Sequence, residues 1–272
     1  MKDKMKQKIW ENIKKVRDLS PLVHNITNYV VMNSSANALL AAGASPVMAH
    51  AEEEVRDMVR ISNSLVLNIG TLSKKWIDAM KIALKEANKL GKPVVFDPVG
   101  AGATNYRTET AKDLLNTGEF TVIRGNASEI MALVSDNLKT KGVDSTVSGE
   151  SAVESGKLLQ QKYKCIICIS GKIDYIISQD EIAEIHNGHK MMSDVTGMGC
   201  SATALIGAFT GIINDYFEAA ISGMALMGVA GELAVKESSG PGSLQIHFFD
   251  KLYKLTSKEF FDTIKLQINR YV

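Results

Sequence analysis

The segment Asp194-Val-Thr-Gly-Met-Gly-Cys200 runs straight into the small-residue stretch Ser201-Ala-Thr-Ala-Leu-Ile-Gly-Ala-Phe209. The pattern places two glycines and a thiol at the start of a helix. The first backbone N–H groups of a helix lack internal partners and carry partial positive charge, so such a start receives anions. Glycine at positions 197 and 199 lets an anion approach the backbone without a Cβ in the way. Cys200 then stands beside whatever that anion reacts with. A glycine-rich loop entering a buried helix has the same composition, so the chemistry needs support from the rest of the chain.

Two rival phosphate motifs are testable on context. Gly197-x-Gly199-x-x-Ala202 fits a dinucleotide fingerprint formally, and Glu218 stands where its ribose-binding acid would be, roughly 20 residues on. That fingerprint needs a strand directly before the turn and another after the helix. Here the last strand-like run, Ile182 to His186, is separated from Gly197 by a polar stretch, and long helical patterns follow Ala202. A dinucleotide site is therefore rejected. The chain also has no Gly-x4-Gly-Lys-Ser/Thr, which removes a P-loop NTPase.

The elements that must position this segment follow from the apolar pattern. Short apolar runs alternate with longer helical ones: Pro21–Thr27 then Tyr29–Ala42, Ser45–Ala49 then Glu52–Ser62, Leu65–Gly70 then a Ser73-capped segment to Leu90. The alternation continues through Pro93–Asp97 and Thr108–Leu115, Phe120–Arg124 and Asn126–Val134, then Ser151–Tyr163 and Cys165–Ser170. Strands apolar on both faces and separated by helices imply an α/β fold, a mostly parallel central sheet with helices on both faces. Asp174–Ser178 and Glu181–His186 read as an antiparallel hairpin, and from Gly197 onward the signals are helical, giving an all-helical C-terminal part. No linker or repeat interrupts residues 1–272, so one domain is expected.

Composition excludes several classes. The net charge is +1, which gives no electrostatic footprint for nucleic acid or membrane. No run reaches the roughly 18 apolar residues of a transmembrane helix, and the lysine-rich N-terminus lacks a signal core, so a cytoplasmic location is expected. Cys165 and Cys168 form a C-x-x-C inside an apolar strand, where residues three apart face opposite ways, which argues against a redox pair. His186 and His189 flank Asn187-Gly188, a pair expected to make a turn at the end of the hairpin rather than a metal site.

In open α/β sheets ligands sit beyond the carboxyl ends of the strands. Those ends carry Asn25 and Asn28, Met48 and His50, Asn68 and Gly70, Asp97 to Gly102, Arg124 to Glu129, and Ser170-Gly171. Singly each has a structural explanation: Asn126 with Glu129 forms a capping-box pattern, and Asp97 before Pro98 can form a turn. Together, polar ends aimed at one edge point to phosphoryl transfer. Asp97 and Glu129 suit Mg2+ held through water, Arg124 suits a phosphate, and the amides of Gly197 to Cys200 suit the charge on a transferred phosphoryl group.

At this point the residues resemble a known family. Asp194–Cys200 resembles the anion-hole motif of the ribokinase-like superfamily, whose last position is usually an aspartate base, and Asn126-x-x-Glu129 resembles its metal motif. The chain is similar in particular to the hydroxyethylthiazole kinase family through Val23-His-Asn-Ile-Thr-Asn28, Gly43–Ala49, Leu67–Ser73, Asp97–Ala103, Ile123–Asn126, His186–Lys190 and Gly240–Ser243. The resemblance implies phosphorylation of 4-methyl-5-(2-hydroxyethyl)thiazole by Mg-ATP. It implies that Met48 packs on the thiazole, with the Gly197 backbone and Asn25 beside it. It further implies that Arg124, Ser170, Asn126 and Gly199 serve ATP, that Asp97 and Glu129 serve Mg2+, and that Cys200 occupies the base position. Ser170 stands where the family is expected to have threonine. A homotrimer with active sites at subunit interfaces is also implied.

Cys200 in place of aspartate is the departure that matters. A thiol is a weak base at neutral pH, although a helix start would raise its thiolate fraction. A covalent role would need a basic partner, for which His24 and His50 are candidates. Phosphoryl transfer through a loose transition state needs little base, so Cys200 is expected to position the acceptor hydroxyl. The competing readings are a sugar, pyridoxal or pyrimidine kinase of the same fold, a nucleotide sensor without turnover, and a cysteine hydrolase.

Overall fold

The computed structural model describes residues 2–134 and 149–271. After the amphipathic helix α1 (Lys2–Leu19), the chain alternates strand and helix: β1 (Leu22–Ile26), α2 (Met32–Ala42), β2 (Ser45–Val47), α3 (Val55–Ile61), β3 (Ser64–Asn68), α4 (Lys74–Lys89), β4 (Val94–Asp97), α5 (Asn105–Thr117) and β5 (Val122–Asn126). Helices α6 (Ala127–Val134) and α7 (Gly149–Tyr163) precede β6 (Ile166–Ser170), and the hairpin β7 (Asp174–Ile177) and β8 (Glu181–Ile185) follows. The rest comprises α8 (Met198–Thr210), α9 (Tyr216–Val235), α10 (Pro241–Lys254), α11 (Ser257–Thr263) and β9 (Leu266–Arg270).

Side-chain oxygens start several of these helices. The hydroxyls of Ser73 and Thr104 and the carboxylate of Asp215 accept the N–H three residues on, capping α4, α5 and α9. At Asn28, the side-chain Oδ1 accepts the N–H of Val30, which makes a turn where helix was expected and delays α2 to Met32.

The strands form one sheet in the order β2-β1-β3-β4-β5-β6-β7-β8-β9. Strands β2 through β6 pair in parallel, and β7, β8 and β9 are antiparallel. Alternate strand residues feed two cores. Val23, Val66, Val95, Val122 and Cys168 pack with α1, α2, α8 and α9, while Ile26, Leu67, Phe96, Ile123 and Ile169 pack with α3 to α7. Cys165 falls in one core and Cys168 in the other, so the two thiols are separated by the sheet, as their spacing predicts. The chain leaves β1 for β2 on one side and returns to β3 on the other. This reversal opens a crevice between the carboxyl ends of β1 and β3, the place where such sheets hold ligands.

Two expectations fail. The C-terminal part is helical only to Thr263, and Leu266–Arg270 then adds a strand to β8. Leu266 is buried, Gln267 exposed and Ile268 half-buried, an alternation too short to stand out beside four helices. Pairing there removes an exposed sheet edge at β8. Asn187-Gly188 forms no turn. The Asn187 amide donates to Glu232 and the Thr263 carbonyl and accepts the Lys265 N–H, bonding the end of β8 to the approach of β9.

Helix α9 is long and apolar enough by composition to cross a membrane, yet 89% of that stretch is buried inside the molecule. Glu218, the residue of the rejected dinucleotide pattern, is bonded on α9 to Lys8 and Asn12 of α1. Helix α8 lies across β1, β3 and β4 with its N-terminus at their carboxyl ends. Gly207 permits this approach: a Cβ there would lie 2.6 Å from Val66 Cγ2 and 3.0 Å from Val23 Cγ1, both on stiff strand residues. The Ser64 hydroxyl donates to the Gly207 carbonyl at 2.6 Å, locking the same contact. Alanine is the better helix former by ~1 kcal/mol, but overpacking costs ~1–3 kcal/mol, so Gly207→Ala is expected to destabilise by up to about 2 kcal/mol. Urea unfolding measures the difference, and an unchanged or raised midpoint would refute the packing argument.

Candidate active site

The carboxyl ends of the six parallel strands bring Met48, Asn28, Asn68, Asp97, Asn126 and Ser170 to one edge of the sheet, as their positions in the sequence predict. Helix α8 delivers Gly197, Gly199 and Cys200 to the same edge. Gly197 is left-handed (φ 85°), and a Cβ there would lie 2.8 Å from Val31 Cγ1, so the turn into α8 requires glycine.

Asp97, with no exposed surface, is the centre of the site. Its Oδ2 accepts the Thr203 hydroxyl at 2.7 Å and the Asn68 amide at 2.9 Å, and Arg124 Nη1 stands 3.8 Å away. Its Oδ1 is buried with no hydrogen-bond partner among the described residues. Burial pushes the Asp97 carboxyl above the usual carboxylate range, with the Arg124 charge opposing that shift and Glu129 adding to it. Asn68 in turn accepts Asn28 Nδ2 at 2.8 Å, and the same nitrogen lies 3.7 Å from Cys200 Sγ. Since Thr203 sits three residues beyond Cys200 on α8, the contacts close into a ring running Cys200, Asn28, Asn68, Asp97, Thr203.

Arg124 reaches from β5 across this ring. Its Nη2 donates to the Ser170 hydroxyl at 2.6 Å, and a Cβ on Gly199 would lie 2.6 Å from Nη1, so glycine there gives the guanidinium room against the start of α8. Behind Ser170, the Gly171 N–H donates to buried Asp174.

Glu129 is held on both oxygens, accepting the N–H groups of Gly100 at 2.9 Å and Asn126 at 2.8 Å. The Asn126 side chain accepts the Glu129 N–H in return, which completes the capping box read from the sequence. Among the described residues no cluster of three or more His, Cys, Asp or Glu side chains gathers to hold a metal unaided.

Burial, and next the Asp97 charge, push the Cys200 thiol up to about 12, with donated hydrogen bonds from Asn68 and Asn28 pulling the other way. The expectation that the helix start would raise its thiolate fraction is thereby corrected, since burial favours the protonated thiol. Neither candidate base partners it. His24 Nε2 bonds the Ala49 carbonyl, and the His50 ring stacks on Trp76 with centroids 4.3 Å apart.

Among the described residues, neither Met48 nor Asn25 is hydrogen-bonded to the ring. Met48 is half-buried just past β2, the outermost strand, and the Asn25 amide folds back on the Val23 carbonyl with its Oδ1 buried and unpartnered among the described residues.

Two participants escaped the sequence reading. Thr203 was legible as the i+3 neighbour of Cys200 on one helix face. Arg107 carried no signal. From the first turn of α5 its guanidinium donates to the carbonyls of Ile69, Gly70 and Val99, tying together the loops that follow β3 and β4.

Comparison with known proteins identifies the family. The Hydroxyethylthiazole kinase family matches residues 13–258. Over 251 residues, covering 92% of this chain and 93% of its relative, the sequence is 55% identical to a hydroxyethylthiazole kinase of Syntrophus aciditrophicus. The structure of a hydroxyethylthiazole kinase protein from Pyrococcus horikoshii superposes with a TM-score of 0.89 at 40% identity, covering 96% of this chain and 98% of that one. A ribokinase-like superfamily protein from Enterococcus faecalis shares the fold, with a TM-score of 0.62 at 14% identity over 86% of each chain. The chain belongs to the hydroxyethylthiazole kinase family and is a kinase.

Proposed function

We propose that the chain transfers the γ-phosphoryl group of ATP to the primary alcohol of 4-methyl-5-(2-hydroxyethyl)thiazole, as a step of thiamine salvage. The observation that carries the reading is the meeting of Arg124, buried Asp97 and the Gly197–Cys200 turn at the carboxyl ends of β4 and β5. A cation, a carboxylate and a helix start then surround one point, beside a half-buried thiol.

On the nucleotide side, Arg124 and the Ser170 hydroxyl hold the phosphates, with the Gly199 amide and Asn126 alongside. The start of α8 stabilises the charge of the transferred group. On the acceptor side, Met48 packs on the ring, and the Gly197 backbone and Asn25 flank it. Asp97 and Glu129 would hold Mg2+, through water. The fit rests on the unpartnered Oδ1 of Asp97, because an unsatisfied buried acceptor costs ~1–3 kcal/mol, more when charged, and a hydrated cation relieves it. When bound, Mg2+ supplies positive charge that neutralises the phosphates.

In the transfer, the alcohol oxygen bonds to the γ-phosphorus while the bond from that phosphorus to the ADP oxygen breaks. The alcohol proton leaves late, so little base strength is needed. Cys200, protonated throughout the physiological range, holds the hydroxyl in line rather than ionising it.

We also read residues 1–272 as one cytoplasmic domain that forms a homotrimer with sites at subunit interfaces. One continuous sheet and three unpaired thiols support the first part. Tyr29 and Val30, directly after Asn28, are 64% and 67% exposed, an apolar rim suited to cover by a neighbouring copy.

Incubation with Mg-ATP and hydroxyethylthiazole, followed by mass spectrometry, is expected to yield thiazole phosphate and ADP, with ADP formation dependent on the thiazole. ATP binding without phosphorylated product would contradict the assignment. Removing a true general base costs ~10²–10⁴ in rate, whereas Cys200→Ala is expected to cost about tenfold or less. Cys200→Asp is expected to keep or exceed the wild-type kcat. Complete loss of turnover in both variants would overturn the positioning role.

A further inference from the structure

Asn28 and Asn68 are held in orientations that decide what the Cys200 thiol can do. Asn28 Oδ1 accepts the Val30 N–H at 3.1 Å, which fixes the opposite end of that amide as the NH2 group. One of its hydrogens serves Asn68 Oδ1 at 2.8 Å and the other faces Cys200 Sγ at 3.7 Å. Asn68 is fixed in the same manner: its Oδ1 accepts the Gly70 N–H at 2.9 Å, so its NH2 donates to Asp97 Oδ2. By accepting Asn28 Nδ2, Asn68 Oδ1 also holds the Asn28 amide where it faces the sulfur. Gly70 is part of the arrangement, because a Cβ there would collide with Asn28 Nδ2.

The protein thus presents a donor to the sulfur. A lone pair is engaged by Asn28 on the protein side, and the hydrogen is left for the open side. We propose that Asn28 and Asn68 are positioning residues that set Cys200 as a hydrogen-bond donor to the oxygen of the acceptor alcohol. The proposal rests on the function proposed above. A thiol in that orientation takes no proton. The alcohol proton passes instead to an oxygen of the transferred phosphoryl group as the new O–P bond forms and the bond to ADP breaks. Cys200 ends the cycle as it began. The same donor suits a carboxylate at position 200, which would accept from it on one oxygen and turn the other to the alcohol as a base.

A purely structural role, with the asparagines only bracing the loops after β1 and β3, makes different predictions. The Raman S–H band of Cys200, isolated by subtracting the spectrum of Cys200→Ala, reads the contact directly in protein without substrate. Asn28→Asp keeps the acceptor for Val30 and loses the donor, so the band is expected to shift; an unmoved band overturns the proposal. In turnover, Asn28→Asp is expected to lower kcat by ~10-fold or more with the KM for ATP within ~2-fold, and to cost under ~3-fold in the Cys200→Ala background. Equal losses in both backgrounds also overturn it. Should Asn28→Asp fail to fold, Asn28→Ala is read by the same two measurements. Absence of turnover by the wild-type protein would count against the proposed substrate alone, because the band is recorded without one.

Discussion

A carboxylate with no access to solvent, Asp97 at the end of β4, sets the terms for the groups around it. An ionised side chain in such a place is expensive unless it is hydrogen-bonded and paired. Thr203 and Asn68 occupy one of its oxygens, and Arg124 stands near enough to offset its charge. Each of those partners is itself committed elsewhere: Asn68 to Asn28, Arg124 to Ser170, Thr203 to the helix that carries Cys200. Satisfying one buried charge therefore fixes the side chains of four strands and one helix relative to each other.

The scaffold makes that convergence available. Parallel strands end together on one edge, and the reversal of chain direction between β1 and β3 leaves a gap there. Helix α8 reaches the gap because Gly207 lets it sit directly on Val23 and Val66. Glycines 197 and 199 then allow its first turn to pass beneath Val31 and Arg124 without a clash. The site is polar, but its placement is decided by close apolar packing behind it.

Much of this was legible in the sequence for physical reasons. Strands apolar on both faces announce a covered parallel sheet, and the caps at Ser73 and Asn126 depend on neighbours only a few residues away. Polar residues at strand ends were legible as a set, because a parallel sheet sends all its ends to one side. Contacts between distant segments were not. Arg107 binds three carbonyls from two loops, and nothing in Asn105-Tyr-Arg-Thr distinguishes it from a solvated helix residue. Asn187-Gly188 has the composition of a turn, yet its amide is claimed by Glu232 and the segment leading to β9. Strand β9 exists because β8 offers it an edge. The environment of Cys200 was misjudged in the same way, since the helix start is local and visible while the burying neighbours are not.

In the proposed reaction Cys200, Arg124 and the start of α8 form a single site in which acceptor and phosphate meet. A crystal structure with hydroxyethylthiazole and a non-hydrolysable ATP analogue tests that most directly. The alcohol oxygen is expected within hydrogen-bonding distance of Cys200 Sγ, with the γ-phosphoryl group between it and the Arg124 guanidinium, facing the Gly199 amide. A thiazole alcohol bound away from Cys200, or a γ-phosphoryl group that meets neither Arg124 nor the start of α8, would contradict it.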